Sequence, residues 1–337
     1  MTVVSIGNLL LDSSEVLYDA ELAYEHCGKK DGPVVLVCHA LTGDQHAVGT
    51  PETPGWWAGL IGPGRAVDTN VFQVITFNVL GGCHGSTGPL SINPKTGQAY
   101  RAGFPELTIR DMVRAEFAAL QTLGINHLTA VLGGSLGGMK ALEWGHLYPD
   151  FVDAILPLAV TPAYSDYGIA FNFLGIQAIE NDKDYDNGNY EESAELKGFQ
   201  VARMAGMVTY RSGNMFNRRF GRSKADKGFN VESYLSYQGE KLARRFDANS
   251  YLVLLKAMNT HDVSEEKIDV DLFSLSFTKD LLYPGELMIP WLEEKPNASW
   301  EIIETDFGHD GFLVEFDKWG YYIKQKLNSL LIPQLML

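Results

Sequence analysis

Short apolar runs alternate along the chain with stretches in which apolar residues recur at helical spacing, first between residues 34 and 160 and again after residue 268. Apolar and β-branched runs of this length are typical of buried strands, and intervals of three and four residues are typical of helices. The predicted strands are 34–37, 72–77, 127–132, 151–160, 272–277 and 300–303. Because alternating strands and helices favour parallel pairing, the pattern predicts an α/β fold with a mostly parallel central sheet and helices on both faces.

Two helices have clear ends in the sequence. Thr108 and Asp111 form a capping box before an amphipathic stretch that stops at Gly124. A last helix is predicted over residues 311–331.

The strand pattern breaks at residue 161 and resumes near residue 268. The intervening stretch is rich in Tyr, Asn, Asp and Met, and helices are predicted near residues 196–210 and 251–258. We therefore predict a core domain of residues 1–160 and 268–337, with residues 161–267 inserted as a helical lid. The lid is expected over the carboxyl edge of the sheet, where open α/β sheets bind ligands.

The segment Gly133-Gly134-Ser135-Leu136-Gly137-Gly138 lies between a predicted strand and a predicted helix. The motif G-x-S-x-G holds a serine on a sharp turn at this position, so that its hydroxyl projects from the sheet. The amide of Leu136, at the helix N-terminus, then faces a developing oxyanion. The alternative interpretation is a glycine-rich turn that contains a serine by coincidence.

A serine hydroxyl needs a general base, and in this class of fold the order along the chain is serine, acid, histidine. His261 and His309 both lie well downstream of Ser135. His309 follows the last predicted strand, whereas His261 belongs to the insertion. The position therefore favours His309 as the base.

The acid that orients the base is expected at the end of the neighbouring strand. Asp280 follows the strand 272–277, while its rivals Asp306 and Asp310 are very close in sequence to His309. We therefore predict Asp280. A second oxyanion donor is expected in the loop after the strand 34–37, with the amide of Leu41 as the best candidate and a tight structural turn as the alternative.

Composition narrows the class of protein. The chain has 337 residues, of which 45% are hydrophobic and 20% charged, and its net charge of -15 argues against nucleic acid and anionic membranes as partners. Three cysteines without metal-ligand spacing, together with a first segment that lacks a basic signal, favour the cytoplasm and no metal. A basic cluster could bind phosphate but is interpreted as a solvated helix face; it comprises Arg211, Arg218, Arg219, Arg222, Lys224 and Lys227.

Several motifs together resemble the homoserine O-acetyltransferase family, and the match runs nearly end to end. The motifs are His39-Ala40-Leu41-Thr42-Gly43-Asp44, Asn78-Val79-Leu80-Gly81-Gly82-Cys83, Gly85-Ser86-Thr87-Gly88-Pro89, Thr108-Ile109-Arg110-Asp111-Met112-Val113, the segment from Ser135 to Trp144, Tyr210-Arg211-Ser212 and Gly308-His309-Asp310-Gly311-Phe312-Leu313. Two positions depart from many relatives: Leu136 stands in place of Met, and Lys140 in place of Gln.

The resemblance implies an α/β-hydrolase fold and a homodimer joined through the lid. It also implies a ping-pong acyltransferase in methionine biosynthesis that carries acetyl from acetyl-CoA, a co-substrate, through Ser135 to L-homoserine, with no separate cofactor. Arg203, Tyr210 and Asp310 are expected to hold the amino acid. Some members use succinyl-CoA or accept serine, and both a carboxylester hydrolase and a non-catalytic binding protein of the same fold remain alternatives.

Overall fold

The computed structural model describes residues 1–191, 193–224, 226 and 228–331. Within them, eight strands form the central sheet. They are β1 (Thr2–Leu10), β2 (Val16–Gly28), β3 (Val34–Cys38), β4 (Gln73–Phe77), β5 (Leu128–Gly134), β6 (Val152–Leu158), β7 (Asp271–Phe277) and β8 (Ala298–Ile303). Their spatial order is β1-β2-β4-β3-β5-β6-β7-β8.

The six strands from β3 to β8 pair in parallel, as the strand pattern predicts. β1 pairs antiparallel with β2, and β2 pairs antiparallel with β4. This N-terminal hairpin was not predicted from the sequence. Register shifts between Ser5 and Leu9 interrupt the two-residue alternation that identifies a half-buried strand.

The helices are α1 (Ile109–Thr122), α2 (Leu136–Leu147), α3 (Asp166–Glu180), α4 (Lys197–Tyr210), α5 (Gly213–Phe220), α6 (Asn230–Ala243), α7 (Ala248–Asn259), α8 (Gly285–Glu293), α9 (Gly311–Val314) and α10 (Phe316–Leu331). The predicted capping box of α1 is present, with Thr108 and Asp111 each accepting from the other's backbone amide. The predicted last helix is interrupted at Glu315, so that residues 311–331 form two helices.

Hydrophobic cores cover both faces of the sheet. Along β3, Leu36 belongs to the core on the face covered by α1 and α2, while Val35 and Val37 belong to the core that includes Trp319 of α10. A strand buried on both sides reads as a continuous apolar run, and this is why β3 to β7 were readily predicted.

Between β6 and β7 the described residues contain the helices α3 to α7. Of these, α4 and α7 match the predicted helices, whereas α3, α5 and α6 were not predicted. The two ends of the segment lie side by side, because Val263 donates to Pro162 O (2.8 Å) and Tyr164 donates to His261 O (2.9 Å). The exact domain boundaries at residues 160 and 268 stay a prediction.

In the part of the chain that the structure describes, no helix combines the length and the apolar character needed to cross a membrane.

Candidate active site

Ser135 occupies a strained turn between β5 and α2. Its backbone has φ 59° and ψ -124°, a region that residues other than glycine rarely adopt, and its amide donates to Leu158 O (3.0 Å). A Cβ at Gly137 would lie 2.1 Å from Cys38 O, so only glycine lets α2 approach the end of β3. The turn thus has the backbone of a nucleophile elbow. β5 continues through Gly134 and α2 begins at Leu136, so both elements extend closer to the serine than predicted.

His309 and Asp280 meet at the carboxyl edge of the sheet. His309 follows β8, Asp280 follows β7, and His309 Nδ1 lies 2.7 Å from Asp280 Oδ2. Both side chains are almost fully buried. Gly308 brings the two loops together, because it has a φ of 62° and a Cβ there would lie 2.8 Å from Lys279 O.

Asp280 is also fixed from its own loop. Its Oδ1 accepts hydrogen bonds from the backbone amides of Leu282 and Tyr283, each at 2.9 Å. Two amides on one oxygen hold the carboxylate in a fixed orientation. Asp280 can therefore fix the ring of His309 and stabilise the imidazolium.

The rival acids have other partners. Asp306 pairs with Arg218 and Lys279 at the surface, and these two cations lower its pKa to about 2. Asp310 Oδ2 accepts from Arg211 Nε at 2.8 Å. Neither carboxylate is the partner of His309 Nδ1.

The rival base, His261, lies away from the serine. It is buried where the two ends of the lid meet, with Nε2 3.2 Å from Thr161 O, and burial lowers its pKa to about 4. These contacts are those of a structural histidine.

A cavity under the lid collects most of the predicted site residues. It is lined by Leu41, Ser135, Arg203, Tyr210, His309 and Asp310, among others. Asp280 lies behind His309, and the amide of Leu136 is the first of α2. The first amides of a helix have no partner within the helix, so this group is available to an oxyanion.

Arg203 and Tyr210 lie one above the other on α4. The guanidinium carbon of Arg203 is 5.4 Å from the centre of the Tyr210 ring. Arg203 Nε is buried and has no hydrogen-bond partner among the described residues. An unpaired buried donor beside a cavity is suited to an anionic group of a ligand.

Aromatic residues that the sequence did not single out pack around His309. The ring of Tyr283 stacks on His309 (4.9 Å between centroids) and on Tyr164 (5.4 Å). Burial raises the pKa of Tyr164, Tyr251 and Tyr283, so these phenols stay protonated. The one sequence signal for Tyr283 was its place in the turn after Asp280.

The interpretation of the basic cluster as a solvated face is wrong for Arg211, which is mostly buried against Asp310. Arg218, Arg219, Arg222 and Lys224 are exposed, and Lys227 lies outside the described residues. Within the described chain no three His, Cys, Asp or Glu side chains are close enough to hold a metal ion, and a metal-free site stays a prediction.

The fold and the elbow define a protein of the α/β-hydrolase class, and a family model described as alpha/beta hydrolase fold matches residues 33–316. The homoserine O-acetyltransferase of Deferribacter desulfuricans is 41% identical over 95% of this chain and 92% of its own length. The chain belongs to the homoserine O-acetyltransferase family, a family of acyltransferases, so the predicted fold and the resemblance are confirmed.

Two solved structures give the same class. The homoserine O-acetyltransferase from Bacillus anthracis superposes with a TM-score of 0.90 at 26% identity, covering 97% of each chain. Esterase E22 superposes with a TM-score of 0.89 at 25% identity, covering 97% of this chain and 99% of the esterase.

Proposed function

We propose that this chain is a homoserine O-acetyltransferase that moves an acetyl group from acetyl-CoA to the side-chain hydroxyl of L-homoserine, in methionine biosynthesis. One structural observation supports this proposal in addition to family membership. The cavity that holds Ser135 and His309 also holds Arg203, with its buried and unpaired Nε. A hydrolase of simple esters has no need of such a cation, whereas an amino-acid acceptor has a carboxylate for it.

In the first half-reaction, Ser135 Oγ attacks the thioester carbonyl carbon while His309 takes the serine proton. The carbonyl oxygen becomes an oxyanion that the amides of Leu41 and Leu136 stabilise. The carbon–sulfur bond then breaks, and the coenzyme A thiolate leaves with the proton from His309. Asp280 stabilises the imidazolium that exists between these two proton transfers.

In the second half-reaction, the homoserine hydroxyl gives its proton to His309 and attacks the acetyl-serine. The tetrahedral intermediate collapses to O-acetylhomoserine, and His309 returns the proton to Ser135. Arg203 binds the carboxylate of homoserine, and Tyr210 packs on the guanidinium. Asp310 attracts the ammonium group while it shares its charge with Arg211, a partner that the sequence did not predict.

The charges around the cavity favour acetyl over succinyl as the acyl group. Arg203 is the only Lys or Arg side chain among the described residues that line it. Succinyl transfer to homoserine requires cations for two carboxylates, one on each substrate. Acetyl transfer requires only one cation, for the carboxylate of homoserine, because the acetyl group is neutral.

The direct test is a matrix of acetyl-CoA and succinyl-CoA against homoserine and serine. We expect transfer from acetyl-CoA to homoserine to exceed the other three combinations by at least about tenfold in kcat/KM. If succinyl-CoA is the better donor, the proposed acyl specificity is wrong.

An acetylated Ser135 is the expected intermediate. Rapid quench with acetyl-CoA and no acceptor, followed by peptide mass mapping, should find one acetyl group on the peptide that contains Ser135. Ser135→Ala should lose the adduct and several orders of magnitude in turnover. Cys83 is a poor rival nucleophile, because burial raises the pKa of its thiol to about 12. An adduct on Cys83 would refute the assignment.

The likeness to esterase E22 favours carboxylester hydrolysis as a second candidate function. The two reactions share an acyl-enzyme and differ in whether water or homoserine attacks it. Release of coenzyme A from acetyl-CoA should be slow without homoserine and fast with it. Equal rates in both conditions would favour the hydrolase.

Assembly and location form the last part of the proposal. Large apolar side chains are exposed on the lid helices α3 and α4, which supports a homodimer joined through the lid; they are Tyr167, Phe173, Leu174, Val201 and Val208. Light scattering on the purified protein should give twice the chain mass. The free thiols of Cys27, Cys38 and Cys83 support a reducing cytoplasm as the compartment.

A further inference from the structure

His39 lies at the end of β3, directly before the loop that carries Leu41, and its side chain is almost fully buried. Both of its ring nitrogens have partners. Nδ1 lies 2.8 Å from Ala40 O, and Nε2 accepts the backbone amide of Val79 at 2.9 Å. The side-chain amide nitrogen of Asn78 also lies 3.3 Å from Nε2.

These contacts determine which nitrogen carries the proton. The Val79 amide can only donate, so Nε2 must be the acceptor and Nδ1 carries the hydrogen. Asn78 agrees with this assignment, since its oxygen accepts from His84 N (3.1 Å) and its nitrogen therefore faces His39. Burial, with the charge of Lys140 as a smaller cause, lowers the pKa of His39 to about 3, so the ring stays neutral at physiological pH.

The hydrogen bond from His39 Nδ1 holds the peptide group between Ala40 and Leu41, which contains the predicted oxyanion donor. Ala40 O and Leu41 N–H belong to one planar peptide group and point in opposite directions. Ala40 O accepts from His39 Nδ1 and from the amide of Gly43 at 2.9 Å. With the carbonyl held on one side, the amide of Leu41 is fixed on the other.

We propose that His39 is a positioning residue that holds the Ala40–Leu41 peptide so that the Leu41 amide faces the oxyanion at Ser135. The proposal rests on the proposed acyl transfer and deepens it. It also gives a role to the glycine-rich segment after β4, residues 78–89. The first two residues of this segment, Asn78 and Val79, fix the tautomer of His39. Arg245 supports the same loop from the lid, since its Nη1 donates to Thr42 O (3.0 Å).

Two substitutions test the contacts of the two ring nitrogens separately. His39→Asn places an amide near the former Nδ1, so it can still donate to Ala40 O, but it loses the acceptor for Val79. His39→Gln can place an oxygen near the former Nε2, so it can still accept from Val79, but it loses the donor to Ala40. If His39 only stabilised the fold, acylation would follow stability in both variants.

Three quantities should be measured for each variant: the rate of Ser135 acylation by acetyl-CoA, the KM for homoserine, and the inhibition constant of 1,1,1-trifluoroacetone. The serine hydroxyl adds to this ketone and forms a hemiketal, in which the former ketone oxygen is the oxyanion. For His39→Gln we expect acylation to fall about a hundredfold, the inhibition constant to rise in parallel, and the homoserine KM to stay within about twofold. His39→Asn should melt at a lower temperature than His39→Gln and yet acylate within about tenfold of wild type.

A folded His39→Asn enzyme that loses acylation a hundredfold would overturn the proposal, as would His39→Gln with near-normal acylation and inhibitor binding. If His39→Gln does not fold, a folded His39→Asn enzyme that loses acylation still overturns the proposal, and one that keeps acylation while its melting temperature falls supports it. The inhibitor needs neither acetyl-CoA nor homoserine. A wild-type enzyme that binds it but does not acetylate homoserine would count against the proposed function and leave the role of His39 testable.

Discussion

Among the residues that the structure describes, the charged side chain that orients the ring of His309 is that of Asp280. His309 Nδ1 lies 2.7 Å from Asp280 Oδ2, and two backbone amides fix the other oxygen of that carboxylate. Replacing Asp280 by Asn keeps the shape but can reverse the tautomer of His309, which turns its outer nitrogen from proton acceptor into donor. We expect Asp280→Asn to lower kcat by up to about ten-thousand-fold in steady-state assays of O-acetylhomoserine formation.

Asp306→Asn is the matched control for that experiment. Asp306 lies three residues before His309 but contacts Arg218 and Lys279 at the surface. Surface ion pairs contribute little, so turnover should stay within about threefold of wild type. A normal Asp280→Asn enzyme would indicate that Asp306 or Asp310 is the acid instead, and an Asp306→Asn enzyme that loses activity would favour Asp306.

At the scale of elements, the proposed function assigns the acceptor site to α4 and the chemistry to residues that follow strands of the sheet. Arg203 is on α4, whereas Ser135, Asp280 and His309 follow β5, β7 and β8. Arg203→Ala should therefore weaken the homoserine half-reaction by roughly 2 kcal/mol, about thirtyfold, and leave acylation by acetyl-CoA nearly intact. Stopped-flow measurement of each half-reaction checks this.

Arg219→Ala serves as the control from the same lid. Arg219 is exposed on α5 and its guanidinium packs over Tyr234 at 4.5 Å, outside the cavity. Both half-reactions should be unchanged in this variant. An Arg203→Ala enzyme that is slow only in acylation would show that Arg203 acts on the donor instead.

A buried ion pair joins α1 to α2 beneath the elbow. Lys140 and Glu116 are both buried and in contact, and Glu116 also accepts from Trp144 Nε1 at 3.0 Å. Removing one partner leaves an uncompensated buried charge, so Lys140→Met should lower the free energy of unfolding by about 3–5 kcal/mol in urea titrations.

Two further variants identify the cause of that loss. Adding Glu116→Gln to Lys140→Met removes the second charge and should recover part of the stability. Lys256→Met breaks the exposed pair with Glu180 and should cost less than about 1 kcal/mol. Equal losses in the Lys140 and Lys256 variants would mean that burial of the pair has no energetic importance.

The sequence predicted the elements that are buried on both faces, and with them the site residues that follow those strands. Ser135 and Asp280 could be found because a buried, largely apolar strand precedes each one. His309 follows a strand that is mostly exposed and contains a glutamate, so it was found from its position after the last predicted strand. α5 and α6 were missed because their apolar faces pack mainly within the lid, and few of their residues are buried. The pairing of Asp310 with Arg211 spans 99 residues, and no local pattern carries that information.

At the scale of the whole molecule, two buried neutral histidines make the free energy of unfolding depend on pH. Burial lowers the pKa of His39 to about 3 and that of His261 to about 4, below the usual value of 6.5. Between these values and 6.5 the unfolded chain binds protons that the folded chain does not, so stability falls as the pH drops below about 6.5. Each histidine should cost on the order of 2 kcal/mol at pH 5 relative to pH 8.

His261 is the residue to test, because it lies outside the cavity with Ser135. The free energy of unfolding in urea should be measured at pH 8 and pH 5 for wild type, His261→Gln and His26→Gln. His39 and His261 together contribute one part of the change in unfolding free energy between pH 8 and pH 5. We expect His261→Gln to lose about half of that part, whatever its absolute stability, because glutamine does not titrate. His26 is exposed at the surface, so His26→Gln is the matched control and should keep the wild-type difference. A His261→Gln protein with an unchanged difference would show that this histidine is not held neutral in the fold.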